Sequence, residues 1–232
     1  MSDTRSARPR PLILAALLLV AACSAAPEGA AVHDPYEARN RAHHATNQAL
    51  VARAPDAEAR EPGTLSRRIG NVGSNLGAPR RVVNDLLQAR PRNAVENAYR
   101  FVVNSTVGLG GLFDPAARMG APGRDTDFGE TLYVWGAPEG AYLEVPLLGP
   151  ATERRMAGRV VDVFLDPLGP MLSSRERNIA RGLRIGGGIL SREAAPDIPI
   201  PEDADSYTRA RLLYLYSRRA HLGDASHPPL AP

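Results

Sequence analysis

Apolar residues in this 232-residue chain return at helical spacing in several separate stretches and hardly anywhere alternate. Val82, Val83, Leu86 and Leu87 fall at i, i+1, i+4 and i+5 after Pro79, and Val95, Tyr99, Val102 and Val103 repeat the design after Pro91. At 3.6 residues per turn each set forms one stripe, which predicts two short amphipathic helices. The run Gly108-Leu109-Gly110-Gly111-Leu112-Phe113 breaks the second one, being both glycine-rich and apolar, and closes at Asp114-Pro115. A short helix is predicted over 126–135 and an extended stretch over 142–147, interrupted by Pro146. Met156, Val160, Val161, Phe164 and Leu165 mark a further helical face that stops at Asp166-Pro167, since the residue before a proline disfavours helix. Ile179, Leu183, Gly186 and Leu190 predict a helix with close-approach glycines. The last helix is predicted over 207–222, with Leu212, Leu215 and Arg219 on one face and Tyr207, Arg211 and Tyr214 on another. Upstream, Asp34-Pro35 with Glu37 in the first turn opens a polar helix over 36–51. Residues 53–63, with Pro55, Pro62 and almost no large apolar side chain, read as an exposed connection.

No alternation of strands with longer helices appears, so a parallel α/β sheet is excluded and the fold class is mainly α. Many prolines between short helices suit a compact bundle of long helices poorly. The apolar stripes fit either an ordinary core or the acyl chains of one membrane leaflet. Spacing alone does not decide between them.

The N-terminus carries a separate pattern. Arg5, Arg8 and Arg10 precede an apolar run over 12–20 and the small pair Ala21-Ala22, the three parts of a secretory signal over 1–22. The run over 12–22, about 11 residues, is well short of the roughly 20 that a helix needs to cross a bilayer. The string Val20-Ala21-Ala22-Cys23 resembles the bacterial lipobox, so Cys23 is expected to be diacylated and to begin the mature chain. Ser24 follows it rather than Asp, which by analogy with lipoprotein sorting points to the outer membrane. Residues 23–33 are small and contain Pro and Gly, and read as a flexible tether. Cys23 is the only cysteine, so no internal disulfide is possible.

Charge adds little. Loss of residues 1–22, with Arg5, Arg8, Arg10 and Asp3, would take the net charge from +3 to +1, so the basic balance makes no case for nucleic acid. Every one of the 28 basic residues is arginine. Arginine forks phosphate and keeps its charge when partly buried, which suits phospholipid head groups; a preference for arginine codons would give the same count. There is no Gly-x-Ser-x-Gly elbow, no Gly-Lys-Ser/Thr phosphate loop and no Cys-x-x-Cys pair, so no catalytic role is read. The Gly108–Gly111 cluster lacks the lysine of a phosphate cradle, and reads as packing or a membrane-facing hinge. His33, His43 and His44 with Glu37 read as a solvated face rather than a metal site, because adjacent histidines on a helix point apart. Asn71, Asn75, Asn84 and Asn104 read as caps and backbone bridges.

One resemblance runs across most of the chain. Asp34-Pro35-Tyr36-Glu37 with Asn40-Arg41, then Asn71 and Asn75 before Pro79, then Val83-Asn84-Asp85-Leu86-Leu87-Gln88, resemble the MlaA (VacJ) family of outer-membrane phospholipid-transport lipoproteins. The order continues with Tyr99-Arg100-Phe101, Asn104-Ser105-Thr106-Val107-Gly108 and Gly110-Gly111-Leu112-Phe113-Asp114-Pro115. Asp127-Phe128-Gly129-Glu130-Thr131-Leu132, Trp135-Gly136, Pro146-Leu147-Leu148-Gly149-Pro150 with Arg154, and Asp166-Pro167 complete it. The resemblance implies a single helical domain over 34–222, clearest over 34–170, with a helical tail over 171–222 and a disordered end over 223–232. It implies a ring of short helices in one leaflet around a polar channel, through which mislocalised phospholipids pass to a periplasmic lipid carrier, beside a trimeric porin. It implies no enzyme, no metal and no cofactor beyond the lipid on Cys23. Arg41, Arg100 and Arg154 are then the candidate channel or head-group contacts, and Gly108 to Phe113 the membrane-facing turn. Asp34, Pro35, Glu37, Asn40, Asn71, Asn75, Pro79, Asn84, Asp85, Asn104, Asp114, Pro115, Asp127, Phe128 and Gly129 are structural motif positions. Two departures stand out. Residues 42–48, Ala-His-His-Ala-Thr-Asn-Gln, are polar where the family places residues against membrane, and Arg155-Met156 replace acidic positions. A membrane-tethered interaction lipoprotein diverged from the transport family is the alternative.

Overall fold

The computed structural model describes residues 24, 26–27, 30–52, 63–173, 175, 178–180, 200 and 203–224. The signal over 1–22, Cys23, most of the 53–63 connection, most of the 179–190 helix and residues 225–232 lie outside the described residues. Seven α-helices are described: α1 (Glu37–Val51), α2 (Thr64–Leu87), α3 (Pro91–Thr106), α4 (Pro115–Arg118), α5 (Phe128–Val134), α6 (Glu153–Leu165) and α7 (Ser206–Leu222). Among the described residues there is one antiparallel hairpin, β1 (Tyr142–Val145) with β2 (Gly149–Thr152), which pairs Tyr142 with Thr152 and Val145 with Gly149. The mainly helical architecture is the one expected, and among the described residues no helix is long and apolar enough to cross a membrane.

Helix ends follow their residues. Asp114, Asp127, Thr152 and Asp205 each accept a backbone N–H three residues on, capping α4, α5, α6 and α7. Pro91 and Pro115 open α3 and α4 where no N–H is required. Gly223 ends α7 in the left-handed conformation. One expectation fails: α2 does not start after Pro79 but runs for 24 residues with Pro79 inside it. A proline there forfeits one helix bond. Gly70, Gly73, Gly77 and Ala78 bring that side of α2 into the buried interior, where packing against α3 outweighs the local loss. The hairpin strand β2 also lies where no strand was expected, formed by Pro146 and the left-handed Leu147 and Gly149 turning the chain.

The faces of α2, α3 and α6 are inverted relative to a water-soluble protein. On α3 the buried side carries Ala94, Asn97, Arg100 and Asn104, while Val95, Tyr99 and Val102 are exposed, at 69, 43 and 58%. On α6 Arg154, Ala157, Gly158 and Asp162 are buried and Val160, Val163 and Phe164 are exposed. Leu65, Leu86 and Leu87 are the exposed face of α2, whose inner face holds Asn75, Arg81, Asn84 and Asp85. Large apolar side chains are buried in two small clusters. Phe128 and Leu132 pack with Ala137 and Ala157, and Tyr142 packs with Tyr207 and Leu215.

Helix α1 corrects a second expectation. His44 is buried, edge-on to the Tyr207 ring at 5.7 Å and 3.3 Å from Ser206 Oγ, so this is not a solvated histidine face. His43 Nδ1 lies 2.8 Å from Glu144 O, and Asn47 donates to Glu144 Oε1 and Val145 O. Within the polar run 42–48, His43 and Asn47 edge β1 and match its backbone groups.

Candidate functional site

The polar interior is tied together by side-chain hydrogen bonds, although one oxygen each of Asn75, Asp85 and Asn97 is buried without a hydrogen-bond partner. Asn40 acts as a strand edge for β1, donating to Tyr142 O at 3.0 Å and accepting from Glu144 N at 3.0 Å. Asp34 accepts from Asn40, Tyr207 and Arg211, after Pro35 has turned the chain into α1. Asn84 donates to Asp162 and accepts from Thr131, and Asp85 accepts from Asn97 at 2.7 Å, joining α2, α3, α5 and α6. Asn71 donates to Leu112 O and Asn75 to Ser105 Oγ. Asn104 donates to Asp114 and accepts from Ala116 N. These contacts are costly to lose, because an unpaired buried polar group costs about 1–3 kcal/mol.

Two carboxylates anchor the arginines. Glu130 is fully buried and meets Arg90, Arg124, Thr126 and His221. Burial alone would raise its pKa, but the hydrogen bonds from His221, Arg90 and Thr126 outweigh it and hold the carboxyl at about 2. Asp127 caps α5 while pairing with Arg218 at 2.7 Å and Arg155 at 3.4 Å. Burial again opposes, and the two guanidinium charges hold it well below the usual carboxylate range. Next to it Gly129 crosses Gly158 so closely that a Cβ on Gly158 would lie 2.6 Å from Gly129 Cα.

The three candidate arginines separate. Arg41 lies at the surface, bonded to Glu37 at 2.7 Å and Asp205 at 2.6 Å, where it ties α1 to the start of α7. Arg100 is buried but occupied, pairing with Asp114 at 2.7 Å and donating to Ala121 O. Arg154 borders a cavity. A cavity of about 280 Å³ is lined by Arg154, Arg219, Glu139, Tyr133 and His33 among others, between the segment before α1, the loop after α5, and the ends of α6 and α7. Arg219 spends its guanidinium on Glu139, at 2.8 and 3.0 Å, and on Ala31 O. Arg154 donates to Ala137 O at 3.0 Å and lies over the Tyr133 ring. Burial pulls its pKa down against the raising charge of Glu139.

The turn at Gly108 to Phe113 stands apart from that cavity. Leu109, Leu112 and Phe113 are exposed, and Gly108 packs so tightly that a Cβ would meet Phe113 O at 2.6 Å. Gly110 and Gly111 have φ of 72° and 94°. Arg68 sits 3.7 Å over the Phe113 ring.

Glu139, Arg219 and Glu130 were not among the candidates read from the sequence. Arg219 left a signal there, as a charge on the Leu212–Leu215 face of the last helix; Glu139, in a Pro-Glu-Gly turn, left none. The expected tether over 23–33 is held in its described part. Ser24 N and Oγ both donate to Glu153 Oε2, at 2.6 and 2.9 Å, and His33 O accepts from Tyr142 N. Partners distant in sequence, Glu153 and Tyr142, made this invisible in the composition.

Comparison with known proteins agrees with this architecture. A family model described as MlaA lipoprotein matches residues 32–221. A Rickettsia felis protein is 35% identical over 143 residues, 59% of this chain, and that stretch spans 57% of the relative's own length. The Escherichia coli intermembrane phospholipid transport system lipoprotein MlaA is 29% identical over 214 residues, covering 88% of this chain and 84% of that one. A solved chain, from work on the structural basis for maintenance of bacterial outer membrane lipid asymmetry, superposes with a TM-score of 0.57 at 27% identity, covering 83% of this chain and 99% of that one. With a family model spanning residues 32–221 and a solved relative sharing the helical architecture, the chain belongs to the MlaA lipoprotein family.

Proposed function

We propose that this protein maintains outer-membrane lipid asymmetry. Anchored by a lipid on Cys23 in the inner leaflet of the outer membrane, it passes mislocalised phospholipid from the outer leaflet through a polar interior to a periplasmic lipid-carrier protein, beside a trimeric porin. The observation that carries this reading is the inverted packing: α2, α3 and α6 bury asparagine, aspartate and arginine and turn valine, leucine and phenylalanine outward. In water that arrangement forfeits about 1.5–3 kcal/mol for each large apolar side chain left exposed. Against acyl chains the same side chains are at home, and the exposed Leu109, Leu112 and Phe113 extend the rim. A polar interior answers the other half of the problem, since a charged head group enters hydrocarbon only at great cost. No bond is made or broken in such a passage, so no nucleophile is required.

The test is outer-leaflet phospholipid in cells lacking the gene, complemented with the intact chain or with Cys23→Ala. A rise on deletion that the intact chain reverses and Cys23→Ala does not is the expected result. An unchanged outer leaflet would reject lipid transport and favour a tethered interaction lipoprotein.

A further inference from the structure

We propose that the cavity beside Arg154 is a phosphate-binding pocket, with the Arg154 guanidinium as the ligand of a glycerol-phosphodiester group. Four observations carry it. Arg154 is only 3% exposed, so its charge has been taken out of water. Among the described residues no carboxylate lies within ion-pairing distance of it, whereas neighbouring Arg219 holds Glu139 with two hydrogen bonds. One of its five N–H groups is bonded to protein, at Ala137 O. None of its nitrogens is sealed without a partner, so the remaining donors open on space, and the space that Arg154 lines is the cavity. A buried cation lacking an adjacent counter-ion is unfavourable until an anion joins it, and the guanidinium fork matches two phosphate oxygens at once.

The size of the pocket and its walls narrow the ligand. About 280 Å³ has room for a phosphate with a glycerol beside it but not for acyl chains. One wall is formed by Ala26, Ala30 and His33. Tyr133 backs the guanidinium at 5.0 Å and fixes its plane. Two carboxylates share the walls, Glu139 and Asp224; Glu139 is held by Arg219, and among the described residues neither makes an ion pair with Arg154, so the place of the anion is left to a ligand. That the phosphate belongs to a lipid head group rather than to a free solute rests on the transport reading above.

The experiment is phosphorus NMR titration of the full purified chain in non-ionic detergent with three probes: inorganic phosphate, glycerophosphoglycerol, and dihexanoyl phosphatidylglycerol. Binding of the two phosphodiesters, weakened at least tenfold in Arg154→Gln and partly retained in Arg154→Lys, is expected, with the exposed Arg118→Gln unchanged. Ala30→Leu fills the cavity without touching the arginine, and should weaken both phosphodiesters even if Arg154→Gln does not fold. Wild-type binding in a folded Arg154→Gln, or no binding of any probe, overturns the pocket. Binding of inorganic phosphate with neither diester bound overturns the phosphodiester assignment and leaves a site for free phosphate. Because these measurements use purified protein, they are independent of the cellular assay: intact binding with an unchanged outer leaflet would reject transport alone.

Discussion

Glu130 shows what a single buried carboxylate does in an interior of this kind. It neutralises Arg90 and Arg124 and also takes Thr126 and His221, so its removal strands two guanidinium groups. The two guanidinium groups are 29 and 35% exposed and so partly solvated, which puts the cost of losing these charge-assisted hydrogen bonds at about 1–3 kcal/mol. Glu130→Gln should therefore lower the unfolding temperature by roughly 2–12 °C in detergent, measured by circular dichroism. The pH dependence has a definite sign. The folded carboxyl titrates at about 2, below the ordinary glutamate value of 4.5, so its contribution is complete above about pH 5 and is lost as pH falls toward 2. The stability difference between wild type and Glu130→Gln should shrink between pH 5 and 2. A difference that grew on acidification below pH 5 would contradict this account.

Helices α5 and α6 meet where Gly129 faces Gly158, and that contact sets the angle at which α6 presents Arg154 to the cavity on one side and Phe164 to the exterior on the other. A methyl on Gly158 would strike the Gly129 backbone, which has no side chain to swing aside. Gly158→Ala should cost about 1–3 kcal/mol, more if the backbone does not yield, even though alanine favours helix by about 1 kcal/mol over glycine. Thermal unfolding of Gly158→Ala against Gly169→Ala, a site with open space, reads the difference. A Gly158→Ala chain as stable as wild type would show that the two helices are free to separate. Helix α2 makes a related point, since a proline within it is tolerated because its neighbouring glycines and alanine are packed in the interior.

At the scale of the whole molecule, α2, α3, α6 and the turn at 109–113 together turn apolar side chains outward from a polar interior, and the prediction concerns partition. Without the lipid, Cys23→Ala should still sediment with membranes and need detergent for release. Adding Val95→Asp, Val102→Asp and Phe164→Asp, on exposed faces of α3 and α6, should release it to the soluble fraction. Release of Cys23→Ala alone would leave the chain a tethered module. The stripes of these helices were legible in local chemistry, in the spacing of Val95, Tyr99 and Val102 after Pro91 and in the stop of α6 at Asp166-Pro167, whereas the caps Asp114, Asp127 and Asp205 follow the same short-range rules but were not among the residues read as helix starts. Short-range rules suffice there, because capping and periodicity involve residues within a turn of one another. Tertiary structure alone decided which way each stripe faces, because a helix with one apolar side satisfies a core and a bilayer equally well. It also decided that Arg41 spends its charge at the surface, Arg100 on Asp114 and Arg154 beside a cavity, although all three sit in similar family-like strings. The physical reason is that an arginine's role is set by which carboxylate lies within about 4 Å of it, and for Arg154 the nearby Glu139 is held by Arg219, 65 residues further along the chain.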